Sequence, residues 1–167
     1  MPHIYEGQPV AGAARFAICV ARYNEHITKR LLDGALETLK QAGAADQSID
    51  VFWVPGAFEL PVTAARAIDT KRYAAIICLG AVIRGETTHD QHINTAISHQ
   101  FAELGVRTGV PVLFGVLTCD TLEQAVHRAG GNVGNKGAEC ADAALRMVDL
   151  LTKVALGRLP VAEQEPR

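Results

Sequence analysis

Four short apolar runs, none alternating with polar residues, constrain this chain more than any other feature. They occupy residues 15–21 (Arg-Phe-Ala-Ile-Cys-Val-Ala), 51–54 (Val-Phe-Trp-Val), 73–79 (Tyr-Ala-Ala-Ile-Ile-Cys-Leu) and 110–117 (Val-Pro-Val-Leu-Phe-Gly-Val-Leu). A strand with one wet face alternates. One that is apolar throughout must be covered on both faces, which is the signature of a parallel sheet between helices. Pro111 must then stand at a strand start or an edge, because it has no N–H to give the ladder.

Helical patterns fill the gaps. Asn24 is placed to cap a helix that carries Ile27, Leu31, Ala35 and Leu39 on one face and stops near Gly43. A second helix is predicted over Phe58–Ile68 and a third over His89–Leu104, with Ile93, Ala96, Ile97, Phe101 and Leu104 at helical spacing. Thr121 with Gln124 forms a capping box for a short fourth helix reaching Ala129, and a fifth spans Lys136–Leu156. Alternating strands and helices predict an α/β fold. The expected architecture is a three-layer α/β/α sandwich on a four-stranded parallel sheet, flavodoxin-like, with a short N-terminal strand segment added. A single domain over 1–167 is expected, ordered from about residue 10 to 157, with loosely tethered ends before Val10 and after Leu159.

Composition narrows the function classes. The 16 Lys+Arg against 18 Asp+Glu leave a formal charge of −2, without the basic surplus of a nucleic-acid binder. No apolar run approaches the roughly 20 residues of a membrane span. The first residues are neither basic nor apolar, so export is not expected. Cys19, Cys78, Cys119 and Cys140 show no metal-type spacing, and Cys19 and Cys78 sit inside strand runs as small buried hydrophobes. A reducing cytoplasm fits this usage. The 26 Ala and 15 Gly against 5% aromatics allow close helix packing but bury little area each.

In parallel sheets ligands bind beyond the carboxyl ends of the strands. There the chain places Arg22-Tyr23-Asn24, then Pro55-Gly56-Ala57-Phe58-Glu59-Leu60-Pro61, then Gly80 to His89, then Thr118-Cys119-Asp120. Gly80, Gly85, Thr87 and Thr88 before a helix start could form an anion site, with His89 as a proton carrier. His89 could equally cap the helix. His89, His92 and His99 can share a helix face, but His-Asp-Gln-His lacks a metal-binding pattern, and a solvated face explains it better. The Gly130–Gly137 cluster is neither a P-loop nor a dinucleotide fingerprint. It reads as a tight helix-to-helix connection between Arg128 and Lys136, cations that could face a phosphate or simply solvent. Glu59 could bind hydroxyls or its own helix amides, and Tyr23 could stack on a planar ligand or seal the sheet edge.

Taken together and in order, several segments resemble the lumazine synthase family. These are Ala21-Arg22-Tyr23-Asn24 with Ile27-Thr28, Val54 to Pro61, Gly80 to His89, Pro111 to Thr118, and Arg128-Ala129-Gly130 followed by Gly134 to Glu139. The resemblance implies condensation of 5-amino-6-(D-ribitylamino)uracil with 3,4-dihydroxy-2-butanone 4-phosphate to 6,7-dimethyl-8-ribityllumazine, without cofactor or metal. It implies that Tyr23 stacks on the pyrimidine, that Ala57, Phe58 and Glu59 hold the ribityl chain, and that the Ala81-Val82-Ile83 backbone reads the pyrimidine edge. It further implies Glu86 and Thr87 at the butanone phosphate, His89 in proton transfer, and Lys136 and Glu139 nearby. Phe114 and Arg128 would arrive from a neighbouring subunit.

The family's assemblies imply a homopentamer. The short Gly130–Gly137 connection points further, to a sixty-subunit shell that could enclose a riboflavin synthase. Partners are otherwise the two small-molecule substrates, with no nucleic acid and no membrane. Two departures stand out. Asp90-Gln91-His92 replaces the aromatic-acid-aromatic run that many members carry after the His, and Tyr23 stands where Phe or Trp is common. The alternative reading is a catalytically silent shell-forming or flavin-binding relative. A phosphate-receiving signalling module is excluded by Arg22-Tyr23 and Gly80-Ala81, where such a module needs acids.

Overall fold

A computed structural model describes residues 1–156. Its core is a four-stranded parallel sheet in the order β2-β1-β3-β4, built from β1 (Phe16–Ala21), β2 (Ile49–Val54), β3 (Ala75–Ile83) and β4 (Val112–Cys119). Helices α1 (Glu25–Gln41), α2 (Leu60–Asp69), α3 (His89–Thr108), α4 (Leu122–Arg128) and α5 (Lys136–Ala155) cover both faces. A small antiparallel pair, β5 (Ala129–Gly131) and β6 (Gly134–Asn135), links α4 to α5. This is the expected three-layer, flavodoxin-like α/β fold.

Alternation along the central strands sorts the core into two layers. Phe16, Ile18, Val20, Ile77 and Leu79 face α1 and α5, where Leu31, Ala35, Leu39, Ala141, Ala144 and Leu145 meet them. Ala17, Cys19, Ala21, Ile76, Cys78 and Val82 face α2 and α3, against Leu60, Ala64, Ile97, Phe101 and Leu104. All six residues of β1 are fully buried, so an unbroken apolar run is the only sequence β1 tolerates. Pro111 directly precedes edge strand β4, and its carbonyl accepts the Ile76 N–H at 2.9 Å.

Helix ends follow local chemistry. Beyond α1, Gly43 takes φ 91°, its N–H bonds Lys40 O and the Ala44 N–H bonds Leu39 O, which is the paired closure of a Schellman stop. Asn135 caps α5 by accepting from the amides of Gly137 and Ala138. Thr121 accepts from the Gln124 N–H at 3.2 Å, but the Gln124 carboxamide reaches the Asp120 N–H rather than that of Thr121, so the capping box is displaced by one residue.

Three expectations need correction and one is refined. Strand β3 continues to Ile83, so Ala81, Val82 and Ile83 are strand residues, held there by pairing with Leu117, Thr118 and Cys119 of β4. Asn24 occupies the cap position of α1 without a side-chain capping bond. The Gly130–Gly137 connection is the tight helix-to-helix link expected, but it also pairs its own backbone as β5–β6. The short N-terminal strand segment does not form: among the described residues no strand precedes Phe16. Residues 6–8 instead lie along α5, where the Gln8 N–H meets Asp149 at 2.7 Å and Lys153 donates to Glu6 O at 2.9 Å. A strand needs a neighbouring strand, and a helix surface offers only side-chain partners. The expected loose end after Leu159 lies outside the described residues.

Candidate functional site

The carboxyl ends of β1, β2 and β3 open onto a cavity of about 490 Å³. It is lined by Tyr23, Gly56, Ala57, Phe58, Glu59, Ala81, Val82, Ile83, Gly85, Thr87, His89, Asp90 and Ile93. Each element delivers its part for a local reason. The Tyr23 and Arg22 amides turn toward β2, bonding Pro55 O and Val54 O. A single 3₁₀ turn at Ala57–Glu59 then swings Phe58 and Glu59 to the rim. The Glu59 carboxylate folds back over Gly56, where a Cβ would stand 3.1 Å from Oε2.

His89 opens α3 at the cavity wall. The preceding Thr88 makes no side-chain capping bond, and the His89 N–H has only the Thr87 hydroxyl at 3.4 Å. The start of a 20-residue helix therefore stands at the cavity wall without a side-chain cap, a favourable setting for an anion. The lining contains two carboxylates and a histidine but no Lys or Arg, so an anion bound there lacks a cation from this chain's own cavity. Tyr23 is 74% and Phe58 60% exposed. Large aromatic rings left open beside a cavity suit stacking on a planar ligand.

Of the expected site residues, Tyr23, Ala57, Phe58, Glu59, Ala81, Val82, Ile83, Thr87 and His89 come together here. Four do not. Glu86 is exposed on the loop before α3 and outside the lining. Phe114 packs on Phe101, ring centroids 5.9 Å apart, at the β4 edge. Arg128 ends α4 and Lys136 begins α5 on the opposite layer, where Glu139 lies 4.0 Å from the Arg128 guanidinium and 3.2 Å from the Lys136 ammonium. One guanidinium nitrogen of Arg128, Nε, is buried without a partner.

Gly56 and Gly85 line the cavity from the sheet-edge segments where the sequence placed them, whereas Asp90 and Ile93 were not foreseen as lining residues. For Ile93 the signal was available, since it stands four residues beyond His89 on the same helix face; Asp90, one residue on, carries no such spacing signal. Asp90 also has one carboxylate oxygen buried without a donor.

His92 and His99 are exposed along α3, and no group of three or more His, Cys, Asp or Glu side chains gathers as a metal site among the described residues. All four cysteines are free. Burial pushes the Cys140 thiol up to about 11 and raises Cys78 as well, which makes both poor nucleophiles. No described helix is long and apolar enough to cross a membrane. A second groove of about 430 Å³ between α2 and α3 shares Phe58 and Glu59, but its remaining lining is largely aliphatic. Of the two, the His89 cavity holds the histidine and both carboxylates Glu59 and Asp90.

The family model for 6,7-dimethyl-8-ribityllumazine synthase matches residues 13–152. That span contains the whole sheet, the cavity and the Arg128–Lys136–Glu139 cluster. The chain belongs to the 6,7-dimethyl-8-ribityllumazine synthase family, the transferases that form the lumazine of riboflavin biosynthesis.

Proposed function

We propose that this chain condenses 5-amino-6-(D-ribitylamino)uracil with 3,4-dihydroxy-2-butanone 4-phosphate to 6,7-dimethyl-8-ribityllumazine, releasing phosphate and water. The observation that carries this reading is the cavity itself, where His89 at an uncapped helix start adjoins Glu59 and the exposed Tyr23 ring. The pyrimidine stacks on Tyr23 and meets the end of β3 at Ala81–Ile83. The ribityl chain follows Ala57 and Phe58, with its hydroxyls donating to Glu59. The phosphate sits at Thr87, Glu86 and the first amides of α3.

The chemistry asks for little more. The 5-amino group attacks the ketone carbonyl and a first water leaves as the imine forms. Phosphate is then eliminated, and the ribitylamino nitrogen closes the ring on the remaining carbonyl with loss of a second water. Each step moves protons and one of them expels an anion, without a protein nucleophile. His89 shuttles protons beside the leaving phosphate, and much of the rate comes from holding two substrates in register. The chain's own residues thus suffice without metal or cofactor.

A dianionic phosphate needs a cation, and the cavity supplies none. Arg128 and Lys136 lie on the opposite layer of their own chain, so they serve the cavity of a second copy, with Phe114 closing its rim. This favours a homopentamer whose sites fall between subunits, assembled further into a sixty-subunit shell able to enclose a riboflavin synthase. The whole chain acts as a single domain within it, and four unpaired cysteines suit the cytoplasm. The test is to mix the protein with both substrates and follow lumazine absorbance and fluorescence. Product above the uncatalysed background supports the reading; none promotes the silent-relative alternative.

A further inference from the structure

Strands β1 and β3 do not end together. Their pairing stops at Val20 with Leu79, while β3 runs on to Ile83 beside β4. Ile76 and Arg84 donate their backbone N–H groups toward the β4 side, to Pro111 O and Cys119 O. Backbone groups alternate along a parallel strand, so those of Val82 also point to β4, while those of Ala81 and Ile83 point to the side that β1 has vacated. That vacated side is the cavity.

One of these exposed groups is already engaged. The Asn24 side-chain amide donates to the Ala81 carbonyl at 2.8 Å, across 57 positions of sequence. The Arg22 and Tyr23 amides are committed to Val54 and Pro55, so neither reaches Ala81, and the Asn24 side chain continues the ladder in their place. To do so Asn24 adopts φ 60°, ψ 44°. Asparagine enters this left-handed region far more readily than most residues. The turn places Tyr23 on one wall of the cavity and leaves Ile83 as the next strand residue with a backbone donor and acceptor facing inward and no strand opposite.

We propose that Asn24 is a positioning residue for the pyrimidine substrate. By engaging the Ala81 carbonyl it fixes the strand edge beneath the Tyr23 ring. A planar heterocycle with a donor and an acceptor side by side, such as the imide edge of a uracil, then meets the free N–H and C=O of Ile83. Val82 contributes its side chain and not its backbone. This assignment rests on the proposed function.

The test compares wild type with Asn24→Gly and Asn24→Asp. Glycine keeps the left-handed turn and removes the amide; aspartate keeps the shape and sets an anion against the Ala81 carbonyl. Thermal midpoints, KM for each substrate, kcat, and calorimetric binding of the ribitylaminouracil alone are measured. For Asn24→Gly the expected result is a near-native midpoint, kcat held within about twofold, and about two- to tenfold weaker pyrimidine binding, the range of one lost hydrogen bond. KM for the butanone phosphate stays unchanged, and Asn24→Asp weakens the pyrimidine further. An unchanged pyrimidine KM in Asn24→Gly overturns the proposal, as does an equal rise in both KM values with a lowered midpoint. Wild type that neither turns over nor binds the pyrimidine removes the functional reading and this inference with it; active wild type with an indifferent Asn24 removes the inference alone.

Discussion

Gly137, in the first turn of α5, lies directly on the backbone of Leu31 in α1. A Cβ on Gly137 would fall inside the contact shell of the Leu31 carbonyl. Backbone against backbone cannot relax by a rotamer change, so Gly137→Ala must move α5 off α1. The expected cost is at least about 1–3 kcal/mol, as for other overpacked sites. Urea unfolding measures it, and an unchanged midpoint would show that the two helices part freely.

The adjacent cap gives an independent check. Asn135 accepts from the Gly137 and Ala138 amides and donates to Arg30 O at 3.0 Å, binding α5 to α1 from the other side. Asn135→Ala should cost about 1 kcal/mol for the cap, somewhat more with the Arg30 bond, again read from urea midpoints.

At the opposite end of the sheet, Asp50 accepts from the Tyr73 hydroxyl at 2.7 Å and from Arg15 at 2.9 Å, with Arg72 at 3.5 Å. The Tyr73 bond, then the Arg15 bond, hold its carboxyl below the ordinary value of 3.8. A carboxyl lowered on folding stabilises fully above its unfolded value and loses that contribution as pH falls through the folded one. Asp50→Asn should cost about 1 kcal/mol near neutrality, a modest figure because the carboxylate is about one-third exposed. The gap between variant and wild type should close below about pH 4, which thermal midpoints across pH would follow.

These features also show where the sequence was legible and where it was not. Continuous apolar runs announced buried parallel strands because two-sided burial admits no polar residue at Ala17 or Ile18. The extension of β3 through Ala81–Ile83 was hidden, since β4 alone holds it, through pairings that local composition does not report. Asn24 showed the same limit. Its type signalled a cap, and a carbonyl 57 positions away claimed its amide instead. Nine of the thirteen expected site residues meet in one cavity because sheet topology gathers them at a single edge. Arg128 and Lys136 follow α4 and the β5–β6 pair onto the other layer, a path that spacing alone could not trace.

His89→Ala should slow product formation about 100-fold without abolishing it, because general acid–base help is lost while substrate orientation remains. KM values should change little. Steady-state rates with both substrates check this, and full activity in the variant would remove His89 from the chemistry.

Arg128→Ala should raise KM for the butanone phosphate by about tenfold or more, since a charge-assisted contact to phosphate is lost, and leave ribitylaminouracil binding intact. Initial rates with each substrate varied in turn separate the two. A selective effect on the pyrimidine would reassign Arg128.

The most direct measurement mixes two damaged chains. If His89 of one copy works with Arg128 of another, co-refolding His89→Ala with Arg128→Ala chains regenerates some sites holding both native residues. Lumazine formation should then rise clearly above the sum of the two variants alone. A mixture no faster than that sum, despite confirmed co-assembly, would contradict an active site shared between subunits.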